Sequence, residues 1–96
     1  MRNQRNHLSK IIWSDSTVAG YSFDSLSKVF ELNVVDYQGK KLNVVFSNVE
    51  CNFLDDPVYI VNACFSELNG LSIAEFSDDD GVVIKLIFAN SEILCV

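Results

Sequence analysis

KVFELNVVDYQGKKLNVVFS, residues 28–47, is the stretch on which the fold turns. Phe30, Leu32 and Val34 alternate with Glu31 and Asn33, and Leu42, Val44 and Phe46 alternate with Asn43, Val45 and Ser47. Successive side chains of a strand point to opposite faces, so each half presents one apolar and one mostly polar face. Between them, Tyr37–Gln38–Gly39–Lys40 reads as a tight turn, with Gly39 supplying a positive φ. The two halves read as a β-hairpin with its apolar residues on one side.

The same period of two continues outward. Upstream, Val18, Gly20 and Ser22 alternate with Ala19, Tyr21 and Phe23, the second set facing inward, and Asp24–Ser25 opens a turn. Downstream, Asp55–Asp56–Pro57 interrupts the chain, since proline belongs at a strand start or in a loop. Val58–Phe65 is a nearly continuous apolar run, read as a strand covered on both faces. Glu67–Gly70 is a turn. Leu71, Ile73 and Glu75 then alternate with Ser72, Ala74 and Phe76, and Ser77–Gly81 (SDDDG) forms a second hairpin turn. Val82, Ile84, Leu86 and Phe88 line one face of the next strand, and a short strand, Ile93–Val96, ends the chain.

The expected fold class is mainly β: an antiparallel β-sandwich or half-open barrel of about six to seven strands, with at most two short helices, over 24–29 and 53–61. Residues 1–10 read as a flexible N-terminal arm and 11–96 as a single β-rich domain, with no repeat and no linker. Phe30, Leu32, Val34, Leu42, Val44, Phe46, Ile60, Ile84, Leu86 and Phe88 should share one core, with Trp13 closing one end.

Charge narrows the function. The 96 residues carry −6, but Arg2, Arg5 and Lys10 lie in the first ten, leaving four lysines against 13 acidic residues in 11–96, a net −9. Such a domain repels phosphate backbones and attracts basic partners. No apolar stretch is long enough for a membrane span or for the centre of a secretory signal, so the chain reads as cytoplasmic. Cys51, Cys64 and Cys95 are too few and too widely spaced for a disulfide framework or a zinc site, and Cys64 reads as a small core residue. Cys95, near the end, should be more exposed. His7 is the single histidine and falls in the arm, which removes the usual catalytic triads. Counting from Asp78 as a calcium loop, position twelve is Ala89 rather than a glutamate. The reading is therefore not an enzyme, with no metal and no cofactor.

Residues 13–49, which run W-S-D-S-x-V through the F-E-L-N-V-V and L-N-V-V-F-S-N-V strands, resemble a broad group of small bacterial β-rich proteins, some of which are immunity proteins that neutralise toxins of competing cells. Trp13, Asp15, Ser16, Leu42, Phe46, Asn48 and Val49 carry the resemblance, and Ser14 stands where a histidine often precedes the Asp-Ser pair. It implies an immunity-type inhibitor that masks the active site, or a nearby surface, of a basic toxin such as a nuclease. The residues expected to meet that partner are Glu50, Asp55, Asp56, Glu75, Asp78, Asp79 and Asp80. A phage-type acidic inhibitor of a nucleic-acid-binding defence complex and a subunit of a larger assembly are the alternatives. Homodimerisation through an edge strand is open.

Overall fold

In a computed structural model, which describes Leu8 and residues 11–95, the chain forms nine strands. They are β1 (Ser16–Asp24), β2 (Val29–Val35), β3 (Lys41–Ser47), β4 (Glu50–Leu54), β5 (Tyr59–Ile60), β6 (Asn62–Leu68), β7 (Leu71–Asp78), β8 (Gly81–Phe88) and β9 (Asn90–Cys95). Two antiparallel sheets face each other, ordered β5-β1-β2-β3-β9 and β4-β8-β7-β6. The expected mainly-β class holds, and no helical element is described between residues 11 and 95. Within 24–29, residues 25–28 are a turn joining β1 to β2, and Asp24 Oδ1 accepts the N–H groups of Leu26 at 3.0 Å and Ser27 at 3.4 Å. Residues 53–61 divide between β4, a loop and β5.

Nine strands arise from about the expected number of continuous runs, because three runs bend from one sheet into the other. β3 passes into β4 through Asn48 and Val49, β5 into β6 through Val61, and β8 into β9 through Ala89. The ladder carries on through these corners. Ser47 opposes Asn90 in one sheet and Glu50 opposes Ile87 in the other, in the same register. Ala89 N–H donates to Ser47 O at 3.2 Å and Val61 N–H to Ser77 O at 2.8 Å. The pairing of Ser16 with Ile60 and Thr17 with Tyr59 then joins β1 to β5. The runs thus form a nearly closed ring, a sandwich with two connected edges.

All ten residues expected in the core are buried there, joined by Leu8, Trp13, Val49, Ala74, Phe76 and Val83. Phe46 sits between the sheets, edge-on to Phe88 (ring centroids 4.8 Å apart), Phe30 (6.2 Å) and Phe76 (6.5 Å). Burying each such side chain contributes roughly 1.5–3 kcal/mol. Trp13 closes one end as expected, edge-on to Phe76 at 4.9 Å, with its Nε1 donating to Leu8 O at 3.2 Å. The expected arm, including His7, lies outside the described residues apart from Leu8, which is fully buried. The exposure expected for Cys95 also lies outside them.

Four local readings are corrected. The run 58–65 is not one doubly covered strand. It breaks at Val61 to change sheets, and β6 then lies at a sheet edge, where Cys64 is exposed rather than in the core. Val82 is exposed and Val83 buried, because the β7–β8 ladder slips between Phe76 and Ser77. In β1 a bulge at Ala19 changes the phase, so Val18 packs on the core before it and Tyr21 after it. Glu50–Leu54, where the sequence predicts no strand and allows a short helix from Phe53 on, is strand β4.

The chain also contains a repeat that the sequence reading missed. The hairpins β2–β3 and β7–β8 have matching registers, with Phe30 opposite Phe46 and Ser72 opposite Phe88. A shift of 42 positions carries buried Phe30, Leu32, Val34, Leu42, Val44 and Phe46 onto buried Ser72, Ala74, Phe76, Ile84, Leu86 and Phe88. It also carries Gly39 (φ 85°) onto Gly81 (φ 131°) and Asp36 onto Asp78. Both aspartates cap their turn alike: Asp36 Oδ1 accepts Gln38 N–H at 2.9 Å, and Asp78 Oδ1 accepts Asp80 N–H at 2.8 Å. β1 and the β5–β6 run each flank their hairpin through β2 and β7 respectively. The protein is two similar three-stranded meanders sharing one core.

Candidate functional site

The edge where β5 meets β1 gathers the two aspartate clusters. Beyond β4, Asp55 N–H donates to Val83 O at 2.9 Å, which ties the loop to the start of β8. Asp56 turns the chain at a φ of 43°, Pro57 is buried, and Val58 O accepts Val18 N–H at 2.8 Å. The β7–β8 turn brings Asp78, Asp79 and Asp80 to the same edge.

Two tyrosines bind the clusters to the sheet. Tyr21 in β1 donates its hydroxyl to Asp56 Oδ1 at 2.7 Å, and Tyr59 in β5 donates to Asp79 Oδ2 at 3.0 Å. The hydrogen bond to Asp56 holds the Tyr21 phenol above its ordinary pKa, helped by desolvation and by the charges of Asp56 and Asp55. Tyr59 is raised in the same way by Asp79, with the negative field of Asp78 adding to it. Each phenol thus senses two carboxylates, an electrostatic mark of how densely the negative charge is packed. Exposed Val58 (66%), Phe53 and Val82 lie on the same loops and strand ends, so the edge mixes apolar, aromatic and acidic surface. No Lys or Arg occurs in residues 16–24, 53–61 or 77–83.

Asp55, Asp56, Asp78, Asp79 and Asp80 therefore share one edge, but Glu50 and Glu75 lie elsewhere. Glu75 stands on the outer face of its sheet, 4.0 Å from Lys85, a solvent-exposed pair worth little to stability. Glu50 opposes Ile87 and lines an open groove of about 500 Å³ with Phe23, Lys28, Asn48 and Cys51. Burial pushes the Cys51 thiol up, which is the opposite of what an activated nucleophile needs. Among the described residues, no group of three His, Cys, Asp or Glu side chains is placed to hold a metal ion.

Sequence reasoning missed the tyrosines. Tyr21 was read only as an inward-facing residue and Tyr59 only as part of an apolar run. The available signal was chemical: a phenol within a strand needs a partner for its hydroxyl, but the aspartates nearest in sequence, Asp24 to Tyr21 and Asp56 to Tyr59, are not the ones each phenol bonds.

No protein family, curated protein or solved structure matches this chain.

Proposed function

We propose that the chain is a non-enzymatic binding protein, an immunity-type inhibitor that covers a basic surface of a toxin with its β1–β5 edge. The carrying observation is that five aspartates from two distant loops lie at one edge, two of them, Asp56 and Asp79, held by Tyr21 and Tyr59, with no Lys or Arg in residues 16–24, 53–61 or 77–83. A nuclease fits as the target because an enzyme acting on a polyanion presents a basic cleft, and a carboxylate surface complements it. Arginine suits the edge best. Its guanidinium can bridge a carboxylate while stacking on a phenol ring. Exposed Val58 and Phe53 add apolar area that an acidic surface alone lacks. The reaction remains the target's own, and this chain blocks access to it in the cytoplasm.

The test is co-expression with candidate nuclease toxins from the native host, followed by association rates measured against ionic strength. The parent should rescue growth and bind faster at low salt. Asp78→Asn, Asp79→Asn and Asp80→Asn together should slow association and flatten the salt dependence. Asparagine retains the side-chain acceptor for the turn, so the fold should be kept. An association rate indifferent to salt, or unchanged in the triple variant, would remove this edge from the account.

A further inference from the structure

The repeat relates the two halves of the chain as a two-fold axis relates two subunits. Under the shift of 42 positions the pair Thr17–Tyr59 maps onto itself. The pair Ser16–Ile60 maps onto Val58 and Val18, which are joined by the 2.8 Å bond from Val18 N–H to Val58 O. At the other seam, Glu50–Ile87 exchanges with Glu92–Val45, and Cys51–Leu86 with Ile93–Val44. Reciprocal pairing of this kind is the mark of an isologous dimer interface, here carried within one chain. What covers the contact surface of each half is therefore known: the other half.

The halves are not interchangeable. Phe30 and Leu32 of the first stand where Ser72 and Ala74 stand in the second, and all four are buried. Two first halves would bring two sets of the large side chains into one core, and two second halves would leave that space unfilled. Both are costly in a close-packed interior. Each half therefore selects the other kind. The hinge between them is short. Asp55 N–H is fixed to Val83 O and Val58 O to Val18 N–H, which leaves Asp56 and Pro57 to turn the chain. Asp56 does so at a φ of 43°, immediately before a proline, which steers its neighbour toward extended backbone. A short, strained hinge between matched halves is the setting in which copies of a chain exchange parts.

We propose that two copies of this chain associate by reciprocal exchange, the first half of each closing on the second half of the other, with the crossover at Asp56–Pro57. The Asp55–Val83 and Val58–Val18 bonds and the pairs of both seams are remade between copies, and Asp56 relaxes to extended backbone. The contact given up is the 2.7 Å bond from the Tyr21 hydroxyl to Asp56. Two extended residues span at most about 7 Å, so the two lobes are joined close to their β1–β5 edges. The aspartate clusters of both lobes then crowd together, and their repulsion opposes exchange at low salt. Exchange also covers the edge that the monomer presents. Resting on the binding role proposed above, the dimer is a form whose edge is withheld from a basic partner.

The test uses the chain alone, so its outcome is independent of what the edge binds. The full chain, refolded from urea under reductant at about 1 mM, where other copies compete with closure over so short a hinge, should yield a species of twice 10.8 kDa by sedimentation. The share of that species should rise at least about threefold between about 0.01 M and about 1 M salt, as the Debye length falls from about 30 Å to about 3 Å. The Asp78→Asn, Asp79→Asn, Asp80→Asn variant should reach the high-salt share already at low salt. Isotope-labelled and ordinary chains refolded together should form mixed dimers, whereas dimers combined after folding should stay unmixed, because exchange requires both seams to open. With Cys51→Ser, Cys64→Ser and Cys95→Ser, the facing substitutions Val45→Cys and Glu92→Cys should form a disulfide between chains in the dimer and within the chain in the monomer. Where the cysteine variant does not fold, the isotope mixing decides on the parent chain. A parent that refolds only as a monomer, a dimer share that does not rise with salt, dimers that mix after folding, or a disulfide within the chain in the dimer would each overturn the proposal.

Discussion

Replacing Phe46 with alanine tests whether the two sheets share one core. The ring is fully buried and stands between β2 and β3 on one side and β7 and β8 on the other. Phe→Ala in a core costs about 3–5 kcal/mol, through lost burial and the cavity left behind. Phe46 should fall toward the upper end, because its three edge-on partners each lose an aromatic contact worth about 0.5–1.5 kcal/mol. A domain of 96 residues has roughly 5–14 kcal/mol in total, so the variant keeps only a fraction of its stability. At about 4–8 °C per kcal/mol for a domain of this size, Tm should fall by about 15–30 °C. Calorimetry and urea unfolding of parent and variant measure this, with Leu26→Ala as the control. Leu26 is 95% exposed, and its loss should stay within about 0.5 kcal/mol. A Phe46→Ala loss below about 1 kcal/mol would refute the packing described.

Glycine substitutions should separate backbone strain from crowding. Gly81→Ala, at a φ of 131° with open space around it, should cost about 1–3 kcal/mol by thermal melting. Gly20→Ala, whose added methyl meets only Asn33 Nδ2 at 3.8 Å, should be neutral or stabilising by up to about 1 kcal/mol. Asp36→Ala removes the acceptor for Gln38 and Lys40 N–H groups and should lower the urea midpoint by the equivalent of about 1 kcal/mol, where Asp36→Asn should not. Because the folded state raises the pKa of Tyr21 and Tyr59, their contribution is complete below the phenol's unfolded value and is lost as pH climbs through the folded one. Alkaline unfolding should therefore become shallower in the Tyr21→Phe, Tyr59→Phe double variant. Asp24 runs the opposite way: its bond from Leu26 N–H, above all, holds the carboxyl low, so its contribution is present at neutral pH and lost on acidification. Asp24→Ala should remove that part of the acid sensitivity.

The hairpin at 28–47 was legible to within a residue at its strand ends, because its two strands keep strict alternation and its turn carries both an aspartate cap and a glycine at positive φ. Legibility failed wherever one residue broke the phase. The bulge at Ala19, the corner at Val61 and the slip beyond Phe76 each move the inward set by a position, and of the three only the bulge adjoins a glycine, Gly20. Cys64 was misplaced for the same reason, since an apolar run does not reveal which sheet it joins or that it lies at an edge. The repeat escaped because its halves share a burial pattern rather than residues. Between 28–54 and 70–96, only Asp36, Gly39, Phe46, Asn48 and Glu50 recur, as Asp78, Gly81, Phe88, Asn90 and Glu92. At the site, the two aspartate clusters were visible as acidic loops. Their meeting was not, because it depends on β5 returning to β1 and on two phenols reaching across the edge.

The doubled architecture has a consequence for how the chain can be cut. The four residues 55–58 are the whole covalent link between the first meander and the second, while ladders along β3–β9, β4–β8 and β1–β5 join them noncovalently. A tether of this kind adds effective concentration, in the millimolar range for a short linker, rather than new contacts. Two fragments divided after Asp56 should then find each other in solution and rebuild the barrel. Fused to the halves of a reporter enzyme, they would make a split tag whose reassembly could be read in living cells.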